Sequence, residues 1–244
     1  MSLLVEYRAY LLVGLQQTLL MSLVVALGGT VWGIVLTAGI RSAWAWLRTL
    51  SATLTELFRD VPLMVTVLLV YFVLPHAGIG LNPFWSTCVA ISAWGGANAA
   101  QIFRAGLLSV SKSQRETAAA FGMTGLKGLV LIVLPQAMPV IIPPYVGLLT
   151  ALVQATSLGA VVGAGELLRS GQVLIEQTTI MKGGSPAYIV YGAILIVYFV
   201  LCRLISAAGA QVEKFFLKPY ARTSSPAAPA EKASDVASSV PTSA

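Results

Sequence analysis

The chain predicts an all-α integral membrane protein with about five transmembrane helices, and three observations carry that prediction. Charged residues leave four long gaps, between Arg8 and Arg41, Asp60 and Arg104, Lys127 and Glu166, and Lys182 and Arg203. A spanning helix needs about 20 apolar residues, so each gap holds at least one. Composition agrees: 57% of residues are hydrophobic and 10% charged, with a mean hydropathy of +0.84, against about 25% charged residues in soluble domains. The second gap has room for two spans, and Pro75-His76-Ala77-Gly78 through Asn82-Pro83 divides it with turn formers.

Five spans follow in order, near 12–39, 54–75, 84–109, 129–158 and 187–210. The first carries Gly28, Gly29 and Gly33, and the third carries Gly95-Gly96-Ala97 with Ala99-Ala100. Both are small-residue patches that permit close helix contact. The fourth run is long and holds Pro135, Pro139, Pro143 and Pro144. Proline removes a backbone donor and disrupts helix, so Pro135, Pro143 and Pro144 predict a helix that is bent, interrupted, or begun only after Pro144. Residues 1–11 are expected to be an interfacial segment leading into the first span. Met1-Ser-Leu-Leu-Val-Glu-Tyr-Arg lacks the basic start and small-residue cleavage site of a removable signal. Residues 217–244 are expected to form a tail, disordered from about residue 223, where Ala, Ser and Pro dominate.

Orientation follows from the basic residues. With the N-terminus outside, the inner segments receive Arg41, Arg48, Lys112, Arg115, Lys127, Lys214, Lys218 and Arg222. The outer ones keep Arg8, Arg169 and Lys182, as the positive-inside tendency requires. The net charge of +6 then needs no nucleic-acid partner. Cys88 and Cys202 fall inside spans and read as packing residues, and one histidine, His76, supplies no metal cluster. Glu166, Arg169, Glu176 and Lys182 read as charges of an outer loop, either solvated or in contact with a receptor.

Between the third and fourth spans lies Ser111-Lys-Ser-Gln-Arg-Glu-Thr-Ala-Ala-Ala-Phe-Gly-Met-Thr-Gly. It predicts a short helix within 113–125, with Ser113 as N-cap and Glu116 as its capping-box partner. Three alanines favour helix, and Gly122 suits a left-handed stop. Glu116-Thr117-Ala118, then Gly122, then Ile132-Val133-Leu134-Pro135 resembles the EAA signature of membrane subunits of bacterial ABC importers. The departure is Thr117, where that family prefers alanine. The resemblance implies a type I importer permease in which Arg115, Glu116, Thr117, Ala118, Phe121, Gly122 and Met123 form a cytoplasmic coupling helix docking on an ATPase.

Further segments are similar to polar amino-acid permeases of the histidine, glutamine and glutamate type. These are Arg59-Asp60-Val61-Pro62-Leu63, Gly96 through Gly106, Leu134-Pro135-Gln136-Ala137, Pro143-Pro144 and Gln154-Ala155-Thr156-Ser157-Leu158. Together they cover about residues 11–216, the permease domain from residue 12 and its coupling segment included. The resemblance implies an ATP-driven importer for a polar amino acid in the bacterial inner membrane, N-terminus periplasmic and C-terminus cytoplasmic. It also implies a cytoplasmic ABC ATPase dimer carrying ATP and magnesium, a second permease (a related chain or this one), and a periplasmic amino-acid-binding protein. No cofactor is expected on this chain, and no P-loop pattern occurs in it. An opine or an organosulfur compound is the alternative solute.

Intramembrane polar residues are functional candidates by default. Asn98, Gln101 and Arg104 recur at three-residue spacing and share one helix face. Thr150, Gln154 and Ser157 do the same on the fourth span, with Thr156 beside them. Facing stripes of this kind would line a cavity for a zwitterion, or else glue helices together. By analogy with the family, acids at the positions of Gln101 and Ala155 hold cationic amino acids; this chain has neither. A stand-alone secondary transporter would carry a mid-membrane carboxylate, and none of the five predicted spans holds a deep Asp or Glu.

Overall fold

The computed structural model describes residues 6–221, and among them every regular element is helical. Eight helices matter here: α1 Arg8–Ile40, α2 Ala45–Asp60, α3 Leu63–Phe72, α4 Pro83–Ser109, α5 Lys112–Ala120, α6 Leu134–Ala155, α7 Leu167–Lys182 and α8 Ala187–Ala221. The disorder expected from about residue 223 falls outside the described residues.

Three segments are long and apolar enough to cross a membrane: Arg8–Ile40, Gly125–Val162 and Ala187–Phe216. α4, at 27 residues, also has the length, but its many Gly, Ala and Ser residues make it less apolar. It is the central helix, packed against α1, α2, α3 and α6. Against α1 the approach is close. A Cβ added to Gly33 would lie 2.7 Å from the Ala99 Cβ and 3.1 Å from the Gly96 carbonyl, and one added to Gly29 would lie 3.5 Å from the Gly96 nitrogen. The glycine patches are therefore what brings these two backbones together.

The register gives each helix its direction. Gly29 faces Gly96 and Gly33 faces Ala99, so α1 and α4 run parallel. Gly95 faces Leu152 and Gly106 faces Ile141, so α6 runs against α4. Gly209 faces Val146 and Cys202 faces Gln154, so α8 runs against α6. The C-terminal ends of α1, α4 and α8 thus meet at one end of the bundle, together with α5. Five crossings of alternating direction produce that arrangement.

Several boundaries differ from expectation. The first span begins at Arg8 rather than residue 12, and the last runs to Ala221, past the predicted 210. The second span, expected as one helix over 54–75, is broken. α2 stops at Asp60, Val61 is extended (φ −75°, ψ 132°), and α3 restarts after Pro62 for only 10 residues. Pro62 has no N–H to continue α2 and forces its predecessor out of the helical region.

The fourth span is not broken at its prolines. α6 runs through Pro139, Pro143 and Pro144, and Pro135 sits just after a π-turn, Leu129–Val133. Leu134 N–H bonds the Leu129 carbonyl across that wide turn, so the ladder absorbs the missing donor one turn early. The readings of a helix interrupted at Pro135, Pro143 and Pro144, or begun after Pro144, are both corrected. The outer loop is corrected too: α7 fills most of it.

Candidate functional site: a docking helix and two polar helix faces

α5 follows α4 without a linker. Val110 is extended, and Ser111 caps α5 by accepting from the Gln114 N–H at 3.3 Å. Ser111, not Ser113, is the N-cap, because the extended Val110 lets the helix start two residues sooner. Glu116 therefore forms no capping box. It pairs instead with Lys112 at 3.3 Å, one turn away. Gly122 ends the helix at φ +73°, and the Met123 N–H returns to the Ala118 carbonyl at 2.9 Å. That six-to-one closure needs a left-handed residue, which glycine adopts without strain.

Two groups expected to meet a partner point inward. Ala118 is 6% exposed, and the Arg115 guanidinium donates to the Leu107 carbonyl at the end of α4. Gln114 accepts from Gln136 of α6 at 3.4 Å. α5 is thus tied to both α4 and α6. Its outward surface is made by Glu116, Thr117, Phe121 and Met123, and by Leu126, which sequence reasoning missed. Phe121 and Leu126 are 77% and 74% exposed. An apolar residue between Gly125 and Lys127 in a basic loop was the available signal.

The polar stripes are distributed as follows. Asn98 and Gln101 are half-buried and Arg104 is exposed on α4. The Asn98 amide donates to its own backbone at Trp94, 2.9 Å away. From the register, Asn98 and Gln101 lie level with 145–150 of α6, which includes Thr150. Gln154 is exposed beyond Leu152, its amide 3.7 Å from the Cys202 sulfur of α8. Ser157 donates to the Gln154 carbonyl at 2.7 Å. Thr156 leaves the stripe: it is fully buried and donates to the Val153 carbonyl at 2.7 Å.

Glu166, expected among the outer-loop charges, is 0% exposed. Its carboxylate caps α7, accepting from the Leu168 and Arg169 amides at 2.8 Å each, and accepts the Tyr198 hydroxyl of α8 at 2.9 Å. Thr18 of α1 accepts the neighbouring Leu167 N–H at 3.0 Å. α1, α7 and α8 are locked together at this end. Burial pushes the Glu166 carboxyl above its usual range, opposed by the two amides and the phenol.

The site is thus a bundle of membrane-length helices with a short helical knob tied to two of them and presenting apolar side chains outward. The chain belongs to the family of binding-protein-dependent transport system inner membrane components, whose profile matches residues 17–212. It is 30% identical over 209 residues to the arginine transport system permease protein ArtQ of Bacillus subtilis, covering 84% of this chain and 91% of that one. It is 30% identical over 199 residues to the glutamine transport system permease protein GlnP of Escherichia coli, covering 80% and 88%. A crystal structure of an amino acid ABC transporter with histidines superposes with a TM-score of 0.77 at 24% identity, over 86% of this chain and 96% of that one.

Proposed function

We propose that this chain is the permease subunit of an ATP-driven importer for a polar amino acid, worked by a separate ATPase that docks on α5. The observation that carries the reading is the pair of ties at Arg115–Leu107 and Gln114–Gln136. Force applied to Phe121 and Leu126 passes directly into α4 and α6. Those two helices bear Asn98, Gln101 and Gln154, so docking and the solute path share one rigid element.

ATP and magnesium then belong to the partner, and this chain contributes no covalent chemistry. Gln154 and Arg104 lie open on one chain's surface, although polar groups facing lipid are costly. A second permease, a related chain or another copy, covers those faces and completes the pore. The α5 end is cytoplasmic because Arg41, Arg48, Lys112, Arg115 and Lys127 gather there. The opposite end, with Glu166 and α7, faces the periplasm and the binding protein. Amide and hydroxyl groups at Gln101, Gln154 and Ser157, with no acid beside them, favour a neutral or acidic solute over a dication.

The test is affinity purification of the tagged chain from its native membrane in mild detergent. The wild type is expected to bring an ATPase and a permease partner. Phe121→Ala with Leu126→Ala should reduce ATPase recovery about tenfold or more, as loss of central apolar anchors does. Undiminished ATPase recovery by that double variant would reject the docking surface.

A further inference from the structure

A recess opens sideways in the bundle on the α5 side. A cavity of about 560 Å³ lies between α1, α4 and α6, walled by Ile34, Phe103, Leu107, Leu129, Met138 and Ile142. Its mouth is continuous with the outward apolar flank of the chain. Val31, Ile34 and Val35 on one side, and Val130 and Leu131 on the other, are each about half exposed or more. Water gains nothing in such a recess, and a bilayer fills it with hydrocarbon.

One end of the recess is cationic. Arg41 and Leu129 line both this cavity and a second one of about 350 Å³, which runs under α5 and is also lined by Arg115. Arg41 makes no ion pair among the described residues. The Arg115 Nε is buried and has no hydrogen-bond partner. Two guanidinium groups therefore share a small space, one with an unsatisfied donor, and no acid lines it. Depth is marked independently. Trp44 and Trp46, 64% and 62% exposed, stack 6.2 Å apart just beyond Arg41, and exposed tryptophans at helix ends sit at the headgroup level.

We propose that the α1–α4–α6 recess binds one anionic phospholipid, with an acyl chain in the apolar cavity and the phosphate between Arg41 and Arg115. The site rests on the chain spanning a bilayer, not on which solute it moves. A phosphate there offsets the two guanidinium charges that line the space at the root of the docking helix. Lipid occupancy thereby stiffens the joint between α5 and α4.

The experiment is native mass spectrometry of the complex purified from its membrane, titrated with phosphatidylglycerol and phosphatidylcholine of matched acyl chains. The wild type is expected to retain phosphatidylglycerol about tenfold better or more, since each arginine near the headgroups favours an anionic lipid by about 1 kcal/mol, a factor of roughly five. Arg41→Glu should bring retention down to the phosphatidylcholine level. Ile34→Trp, which fills the cavity without touching charge, should lower retention of both lipids. Equal retention of the two lipids by the wild type overturns the proposal without recourse to any variant. So does unchanged phosphatidylglycerol retention in Arg41→Glu or Ile34→Trp. A disulfide between two copies carrying Val35→Cys would show protein covering the recess, and would overturn it as well.

Discussion

Glu166 separates a solvated loop charge from a structural one, and the two readings predict different outcomes for Glu166→Ala. Deleting a helix N-cap acceptor costs about 1 kcal/mol and up to ~2. The Tyr198 hydroxyl would also be left buried without its carboxylate, at roughly 1–3 kcal/mol. The two contributions together amount to about 3 kcal/mol. For a chain of this size that corresponds to a fall in Tm of roughly 6–12 °C. Glu176→Ala is the internal control, because Glu176 is exposed on the same helix, and surface changes of that kind stay within about 0.5 kcal/mol.

The assay is a thermal melt of the purified protein in one detergent, all variants side by side. The expected order is wild type and Glu176→Ala together, with Glu166→Ala well below them. Equal melting of the two alanine variants would refute the argument that Glu166 holds α7 to α8.

Three further outcomes are expected. Gly122→Ala places a Cβ at φ +73°, at about 1–2 kcal/mol; it should weaken ATPase recovery more than Gly122→Asn, measured by the same affinity purification. Gly33→Leu pushes a side chain into the Ala99 Cβ and the Gly96 carbonyl, which cannot move aside, so overpacking of roughly 1–3 kcal/mol or more should cut the monodisperse yield in size-exclusion chromatography. The raised Glu166 carboxyl carries a pH dependence. Its pKa is higher folded than unfolded, so above the ordinary carboxyl value the folded chain keeps a proton that the unfolded chain has lost. Its contribution is present at pH below that ordinary value and falls as pH rises through the folded pKa. Melts across pH 4 to 8 should show that slope in the wild type and lose it in Glu166→Gln.

The sequence disclosed those features that are decided by one chain segment acting alone. α4 begins and ends within a residue of its predicted limits because Asn82-Pro83 starts it and the polar run from Ser111, which caps the next helix, ends it. The glycines of α1 and α4 were legible as a contact surface because a missing Cβ has no other use in an apolar helix. Gly122 was legible as a stop for the same reason. Proline was legible as a disturbance, but not its outcome. Pro62 stops a helix and turns its predecessor extended, whereas Pro135 is absorbed by a π-turn that begins six residues earlier. The difference lies in what surrounds each one: Pro62 joins the charged end of α2 to a short apolar helix, while Pro135 continues a single long apolar run.

What escaped was set by partners distant in sequence. Glu166 looks like its charged neighbours until Tyr198, 32 residues on, and Thr18, on a different helix, are brought beside it. Arg115 reads as a docking charge until α4 ends at the level of α5 and offers the Leu107 carbonyl. Thr156 lies two residues past Gln154, about 200° round the helix, so it faces the interior while Gln154 stays on the open face. Gln154 and Arg104 remain exposed on α6 and α4. In a membrane an exposed polar face has no water to turn to, and that surface is where the proposed second permease would close the pore.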